Sequence, residues 1–158
     1  MRRIATLAFA FASLASPLAA QSHPDFSGKW VLDTKASEGP MMPTAMTIVV
    51  TQDAKTLKVD NTSSMGEQKT SSSLTYSLDG TPAKNTLTNM GQSLELTSTS
   101  KWEGATLVVS TSADLGGRAL SQVDHWSFSP DQKTLLLTRD VNVSGQAMGA
   151  IKMVFVKP

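Results

Sequence analysis

An all-β fold, an antiparallel up-and-down meander barrel of about eight to ten strands, is what this sequence predicts, on three observations. Apolar and polar residues alternate with period two beyond residue 20, Thr and Val are abundant there, and turn-forming clusters return every 8–12 residues. Period-two alternation puts successive side chains on opposite faces of a strand, and evenly spaced turns fold such strands into hairpins. No stripe of apolar residues at helical spacing competes with this pattern.

Residues 1–20 stand apart from it. Met1-Arg2-Arg3 is followed by the apolar run Ile4 to Leu14 and then by Ala15-Ser16-Pro17-Leu18-Ala19-Ala20. A charged start, an apolar middle and small residues at the end form a secretory signal peptide, with cleavage expected after Ala20. The apolar run is shorter than the ~20 residues that span a bilayer, and no later segment is continuously apolar, so no integral membrane segment is expected. Arg2-Arg3 lacks the residues that follow in a twin-arginine signal, which favours general secretion. The product is expected to be exported, periplasmic or extracellular, and soluble.

The 138 residues from position 21 onward fit one domain, 21–158, large enough for a real core. Loss of Arg2 and Arg3 leaves 12 basic against 13 acidic residues, a formal charge of −1. That balance offers no electrostatic grip on nucleic acid or anionic lipid. The chain has no Cys, which excludes disulfides, thiol catalysis, thiolate metal sites and lipid anchoring through an N-terminal Cys.

The expected strands are Gly28–Asp33, Ala45–Thr51, Thr56–Ser63, Thr70–Asp79, Lys84–Met90, Ser93–Trp102, Thr106–Ala113, Ala119–Ser129, Thr134–Val143 and Ala147–Lys157. One corner recurs three times: Gln52-Asp53-Ala54-Lys55-Thr56-Leu57, Trp102-Glu103-Gly104-Ala105-Thr106-Leu107 and Pro130-Asp131-Gln132-Lys133-Thr134-Leu135. Each is a polar turn from which Thr-Leu opens the next strand, so neighbours in sequence should pair. Asp79-Gly80-Thr81-Pro82 and Leu115-Gly116-Gly117 supply glycine for positive φ at two more corners. Thr34–Pro43 is the one long connection, and the Ser/Thr-rich Thr62–Ser73 is expected to be a solvated hairpin tip.

Alternation also assigns faces. Ile48, Val50, Leu57, Val59, Tyr76, Leu78, Leu94, Leu96, Trp102, Leu107, Val109, Trp126, Phe128, Leu135, Leu137 and Val141 share the inward phase. Keeping Phe128 and Leu135 both inside across the Pro130 corner sets a register in which Trp126 meets Leu137, Asp124 meets Arg139 and Gln122 meets Val141. By the same reasoning Trp102 meets Leu107, Ser100 meets Val109 and Ser98 meets Thr111. Inward phase therefore turns polar away from the corners, at Asn61, Ser98, Ser100, Thr111, Gln122, Asp124 and Arg139. Buried polar groups need partners, so a barrel with one packed end and one wetter interior follows.

Phe26-Ser27-Gly28-Lys29-Trp30, opening the first strand, resembles the Gly-x-Trp start of the calycin superfamily of lipocalins, fatty-acid-binding proteins and avidins. Thr99-Ser100-Lys101-Trp102-Glu103-Gly104-Ala105-Thr106-Leu107 is similar to a hairpin of fatty-acid-binding proteins, and ten strands is their count. The chain is most similar to secreted bacterial proteins described only as lipocalin-like. The resemblance implies a meander barrel with Trp30 plugging its closed end and apolar ligands as cargo. It departs from that pattern in two places: Thr34–Pro43 is too short and too Pro-rich for a helical lid, and the disulfides and C-terminal helix of lipocalins are missing.

Six residues are the ligand-binding candidates. Arg139 and Asp124 form the sharpest pair, because a guanidinium inside a barrel can grip a ligand carboxylate in bidentate fashion while the Asp positions it; the alternative is a structural ion pair at the rim. Gln122 lies beside them. Trp102, Trp126 and Tyr76 offer aromatic walls to an apolar ligand, or simply fill the core. The eight Met residues, with His23 near Met41-Met42, match no copper-ligand spacing, so no metal and no cofactor is expected. His23 falls in the flexible start of the mature chain and His125 in outward phase, and no Ser, His and Asp set converges, so no catalytic residues are assigned.

The expected function is a monomeric binding protein that holds a small apolar or amphipathic ligand. The alternatives are a protein-interaction module, such as a periplasmic inhibitor or assembly factor, and, with less behind it, a barrel enzyme built on Arg139, Asp124 and Gln122.

Overall fold

A computed structural model of the chain describes residues 23–89 and 92–158; the expected signal peptide lies outside them. The described residues hold ten strands and no helix: β1 (Gly28–Leu32), β2 (Ala45–Gln52), β3 (Thr56–Met65), β4 (Gln68–Ser77), β5 (Ala83–Asn89), β6 (Gln92–Glu103), β7 (Thr106–Asp114), β8 (Ala119–Phe128), β9 (Thr134–Val143) and β10 (Gln146–Val156). All pair antiparallel in one sheet, in the order β4-β3-β2-β1-β10-β9-β8-β7-β6-β5. Consecutive strands are neighbours everywhere except at β4 and β5, and β1 meets β10, so the meander curls into a nearly closed barrel with its seam between β4 and β5.

The register follows the alternation. Phe128 faces Leu135, Trp126 faces Leu137, Asp124 faces Arg139 and Gln122 faces Val141. Trp102 faces Leu107, Ser100 faces Val109 and Ser98 faces Thr111. Once a polar corner pins one inward pair, each further step of one residue on both strands preserves the face, so the error does not grow along the ladder.

Two strand bounds are corrected. Thr62–Ser73 is a largely exposed hairpin tip, but β3 and β4 run beyond Ser63 and Thr70 and stay paired through Met65 opposite Gln68, leaving Gly66-Glu67 as the turn. Cross-strand hydroxyl contacts, such as Ser63 Oγ to Thr70 Oγ1 at 2.9 Å, and the β propensity of Thr extend the ladder into this Ser/Thr-rich stretch. β4 in turn stops at Ser77 rather than Asp79, because the Asp79 carboxylate accepts the Thr81 N–H at 2.9 Å and turns the chain.

The β1–β2 connection completes the wall. β1 is five residues long against eleven in β10, so most of one β10 edge has no strand beside it. The loop backbone takes over: Asp33 N donates to Val154 O at 2.8 Å, and Glu38 and Lys152 exchange two hydrogen bonds of 2.9 and 2.8 Å. Gly39 makes this approach possible, since a Cβ there would stand 2.8 Å from the Ile151 Cα.

Apolar burial concentrates at the end closed by the β2–β3, β4–β5, β6–β7 and β8–β9 corners. Trp30 is buried there and donates its indole N–H to Phe26 O at 2.9 Å. Phe26, fully buried, packs against Phe128 and Trp126 with ring centroids 5.1 and 6.1 Å apart. Lys157 Nζ sits 3.8 Å above the Trp30 ring, a cation over an aromatic face.

Candidate functional site

Above this plug the inward side chains leave a cavity of about 220 Å³. Ile48, Val59, Leu74, Leu96 and Leu137 supply much of its apolar wall, while Asn61, Tyr76, Thr111, Gln122 and Arg139 bring polar atoms to it. These polar residues lie on β3, β4, β7, β8 and β9, so the mixed lining is assembled from around the barrel rather than from one strand.

Arg139 and Asp124 are directly opposite on β9 and β8. Arg139 Nε and Nη2 donate to Asp124 Oδ1 and Oδ2 at 2.8 and 2.9 Å, a planar fork on a carboxylate. Gln122 Nε2 adds a third donor to Oδ2 at 3.0 Å. The Asp124 side chain is 1% exposed and the Arg139 side chain 27%. Arg139 and Gln122 line the cavity and Asp124 does not, so the anion lies behind its two donors.

Burial by itself would make the Arg139 guanidinium easier to deprotonate; the Asp124 charge and hydrogen bonds outweigh that and hold it more firmly protonated than usual. Burial drives the Tyr76 phenol well above its ordinary value, Asp124 adds to the rise and Arg139 opposes it. Tyr76 therefore faces the cavity as a neutral hydroxyl.

The remaining interior polarity is mostly satisfied locally. Ser98 Oγ and Thr111 Oγ1 bond each other at 2.8 Å, and Ser100 Oγ donates to Ser77 O. Asn61 Oδ1 and Trp126 Nε1 are buried without a hydrogen-bond partner among the described residues, and both side chains line the cavity.

Of the six sequence candidates, Arg139, Gln122, Trp126 and Tyr76 come together on the lining, with Asp124 just behind them. Trp102 lies apart. Its ring stacks on His23 at 4.3 Å with planes 5° apart and on Phe26 at 5.9 Å, at the outer side of the plug. His23, expected in a flexible start, is thus held by an aromatic face. Leu74 and Leu120, absent from the inward set, also line the cavity. Their signal was present, since Leu74 shares parity with Tyr76 and Leu120 with Gln122 and Trp126.

At the seam Asn85 on β5 takes the place of a ladder. Its Oδ1 accepts the Thr75 N–H at 2.8 Å and its Nδ2 donates to Thr75 O at 3.0 Å. A side-chain amide presents the same donor and acceptor as a peptide group, so one residue pairs with β4 as a strand would.

No protein-family model and no curated protein matches the chain. Solved structures do. A protein described as the REP1-NXSQ fatty acid transporter aligns with a TM-score of 0.54 at 13% identity, covering 84% of this chain and 95% of its own. A secretary abundant heat soluble (SAHS) protein from Ramazzottius varieornatus, from a dimer sample, aligns at 0.53 and 12% identity, covering 87% and 98%. The likeness runs through nearly the whole barrel and shows a shared barrel fold.

Proposed function

We propose that this chain is an exported binding protein, periplasmic or extracellular, that holds a small amphipathic molecule inside its barrel. The observation that carries the reading is the cavity itself, about 220 Å³ with an apolar wall and a polar side at Arg139, Gln122 and Tyr76. Binding sites for small molecules have this make-up, a mainly apolar surface with a few placed polar groups. That one structural neighbour is described as a fatty acid transporter supports cargo of an apolar or amphipathic kind. No described helix is long and apolar enough to cross a membrane, which is compatible with release after export. Within this reading Arg139, Gln122, Tyr76 and Trp126 contact the ligand, Asp124 orients Arg139, and Trp102 serves the plug.

Native mass spectrometry of protein purified from its own compartment tests the proposal. A reproducible added mass that dissociates on activation is expected, on a chain beginning at Gln21. Bare protein together with no binding across a panel of small amphiphiles would end the carrier reading, and a retained leader would end the export reading.

One observation favours a second reading as an interaction module. Met41 in the β1–β2 loop is 80% exposed, and the neighbouring Pro40 packs against Gly149 of β10, whose own neighbour Met148 is also exposed. Bare protein in the experiment above, co-purifying with a stoichiometric second chain, would move the function to this face.

A further inference from the structure

Resting on the carrier reading, we infer that the cavity selects a neutral amphiphile, a short apolar body ending in a hydroxyl or carboxamide, over the carboxylate or ammonium of equal length.

The argument begins with a charge that is already matched. Among the described residues Arg139 is the only formally cationic one on the lining, and its Nε and Nη2 fork is closed on Asp124. A ligand carboxylate entering here meets an ion pair of zero net charge instead of a free guanidinium. It gives up its own hydration, gains attraction from Arg139 and is repelled by Asp124 close behind; the desolvation cost is left largely uncompensated. An ammonium fares no better, because Arg139 and Gln122 stand between the cavity and the Asp124 carboxylate.

Neutral heads find what they need. A guanidinium carries five N–H donors, and two are taken by Asp124, which leaves three. Gln122 spends one amide N–H on Asp124 and keeps its Oε1 as an acceptor. With the anion behind and the cationic head in front, the pair presents the positive end of a dipole to the cavity, suited to the oxygen of an alcohol or amide. The two unpartnered atoms on lining residues, the Asn61 Oδ1 acceptor and the Trp126 Nε1 donor, likewise match neutral groups and call for no ion.

Size narrows the class. An apolar cavity of ~150 Å³ accommodates benzene, and pockets for drug-sized ligands begin near ~300 Å³. Benzene's six carbons in ~150 Å³ correspond to ~25 Å³ per non-hydrogen atom, so 220 Å³ holds roughly nine. The expected cargo is a medium-length neutral amphiphile, shorter than a membrane lipid chain.

Calorimetric titration of the full mature chain with 1-octanol, octanamide, octanoate and octylamine at about pH 7, where the last two are ionised, tests the inference. 1-Octanol and octanamide are expected to bind at least about tenfold more tightly than either ion. Octanoate binding as tightly as 1-octanol would overturn the charge argument and leave the carrier reading intact. No heat from any of the four, with no mass adduct on native protein, would overturn both. Asp124→Asn separates head recognition from a general dislike of ions: freeing Arg139 should reverse the preference toward octanoate, and an unchanged preference would refute the role of the pair. If that variant does not fold, Asp124→Asn combined with Arg139→Gln replaces the pair by neutral hydrogen-bonding groups and should keep the preference for 1-octanol; preference for octanoate there would overturn the proposal.

Discussion

Asn85 pairs with both backbone groups of Thr75 across the β4–β5 seam, at 2.8 and 3.0 Å, and so fastens the one gap in the strand order. Two such bonds at a largely exposed site are together worth about 1 kcal/mol. Asn85→Ala should lower the unfolding free energy by about that amount, read from denaturant midpoints at constant m-value. Faster amide exchange should be confined to the seam ends of β4 and β5; uniform acceleration around the barrel would contradict a local fastening.

The Arg139–Asp124 pair should behave as a buried unit. Asp124→Ala leaves a guanidinium inside without its partner and should cost about 3 kcal/mol, the lower end of the range for such losses because Arg139 keeps some exposure. Asp124→Ala with Arg139→Leu should recover most of it, since an apolar pair needs no compensation. A double-mutant cycle on urea unfolding gives the coupling; near-zero coupling would mean that the two residues act independently.

Three corners of the closed end rest on ionised aspartates. Asp53 is lowered from 3.8 by backbone hydrogen bonds from Lys55 and Thr56, and Asp131 first by the Ser129 hydroxyl and then by the Lys133 N–H. Asp79 is lowered by the hydroxyl and N–H of Thr81. A depressed folded value means that the unfolded chain takes up the proton first, so this stabilisation is present above pH 3.8 and disappears as pH falls through the lower folded values. Melting temperature should drop across that interval, and less steeply in Asp53→Ala, whose corner has nothing left to titrate there.

Tyr76 is the only tyrosine, which makes its titration readable. With its folded value raised above 10, the phenol keeps its proton while the unfolded chain ionises. Its contribution to stability is complete below pH 10 and declines as pH rises beyond it. Absorbance of phenolate should therefore appear together with loss of near-ultraviolet circular dichroism, and earlier phenolate absorbance from folded protein would show an open path to the ring.

Much of the site was legible because it lies on strands. Parity along β8 assigns Gln122, Asp124 and Trp126 to one face, the Pro130 corner assigns their partners on β9, and so Asp124 opposite Arg139 follows from a turn and a count. The meander barrel was legible for the same reason, with Gly28-Lys29-Trp30 marking where its first strand begins. What parity does not contain is distance around the ring. That Asn61 on β3 and Arg139 on β9 share one cavity depends on curvature, and so does the gap that Asn85 spans. Trp102 kept its inward phase and still left the cavity, because His23 and Phe26, near the start of the described chain, fold onto the plug beside it.

By itself, then, the sequence determined the strand class, the meander, the register and the inward polar set, since each rests on local alternation and turn chemistry. Tertiary structure alone decided where the barrel closes, how much space remains inside and which partner meets the charge on Arg139 from behind. Those are sums over side chains from distant strands, and neither a volume nor a compensated charge can be read from neighbours along the chain.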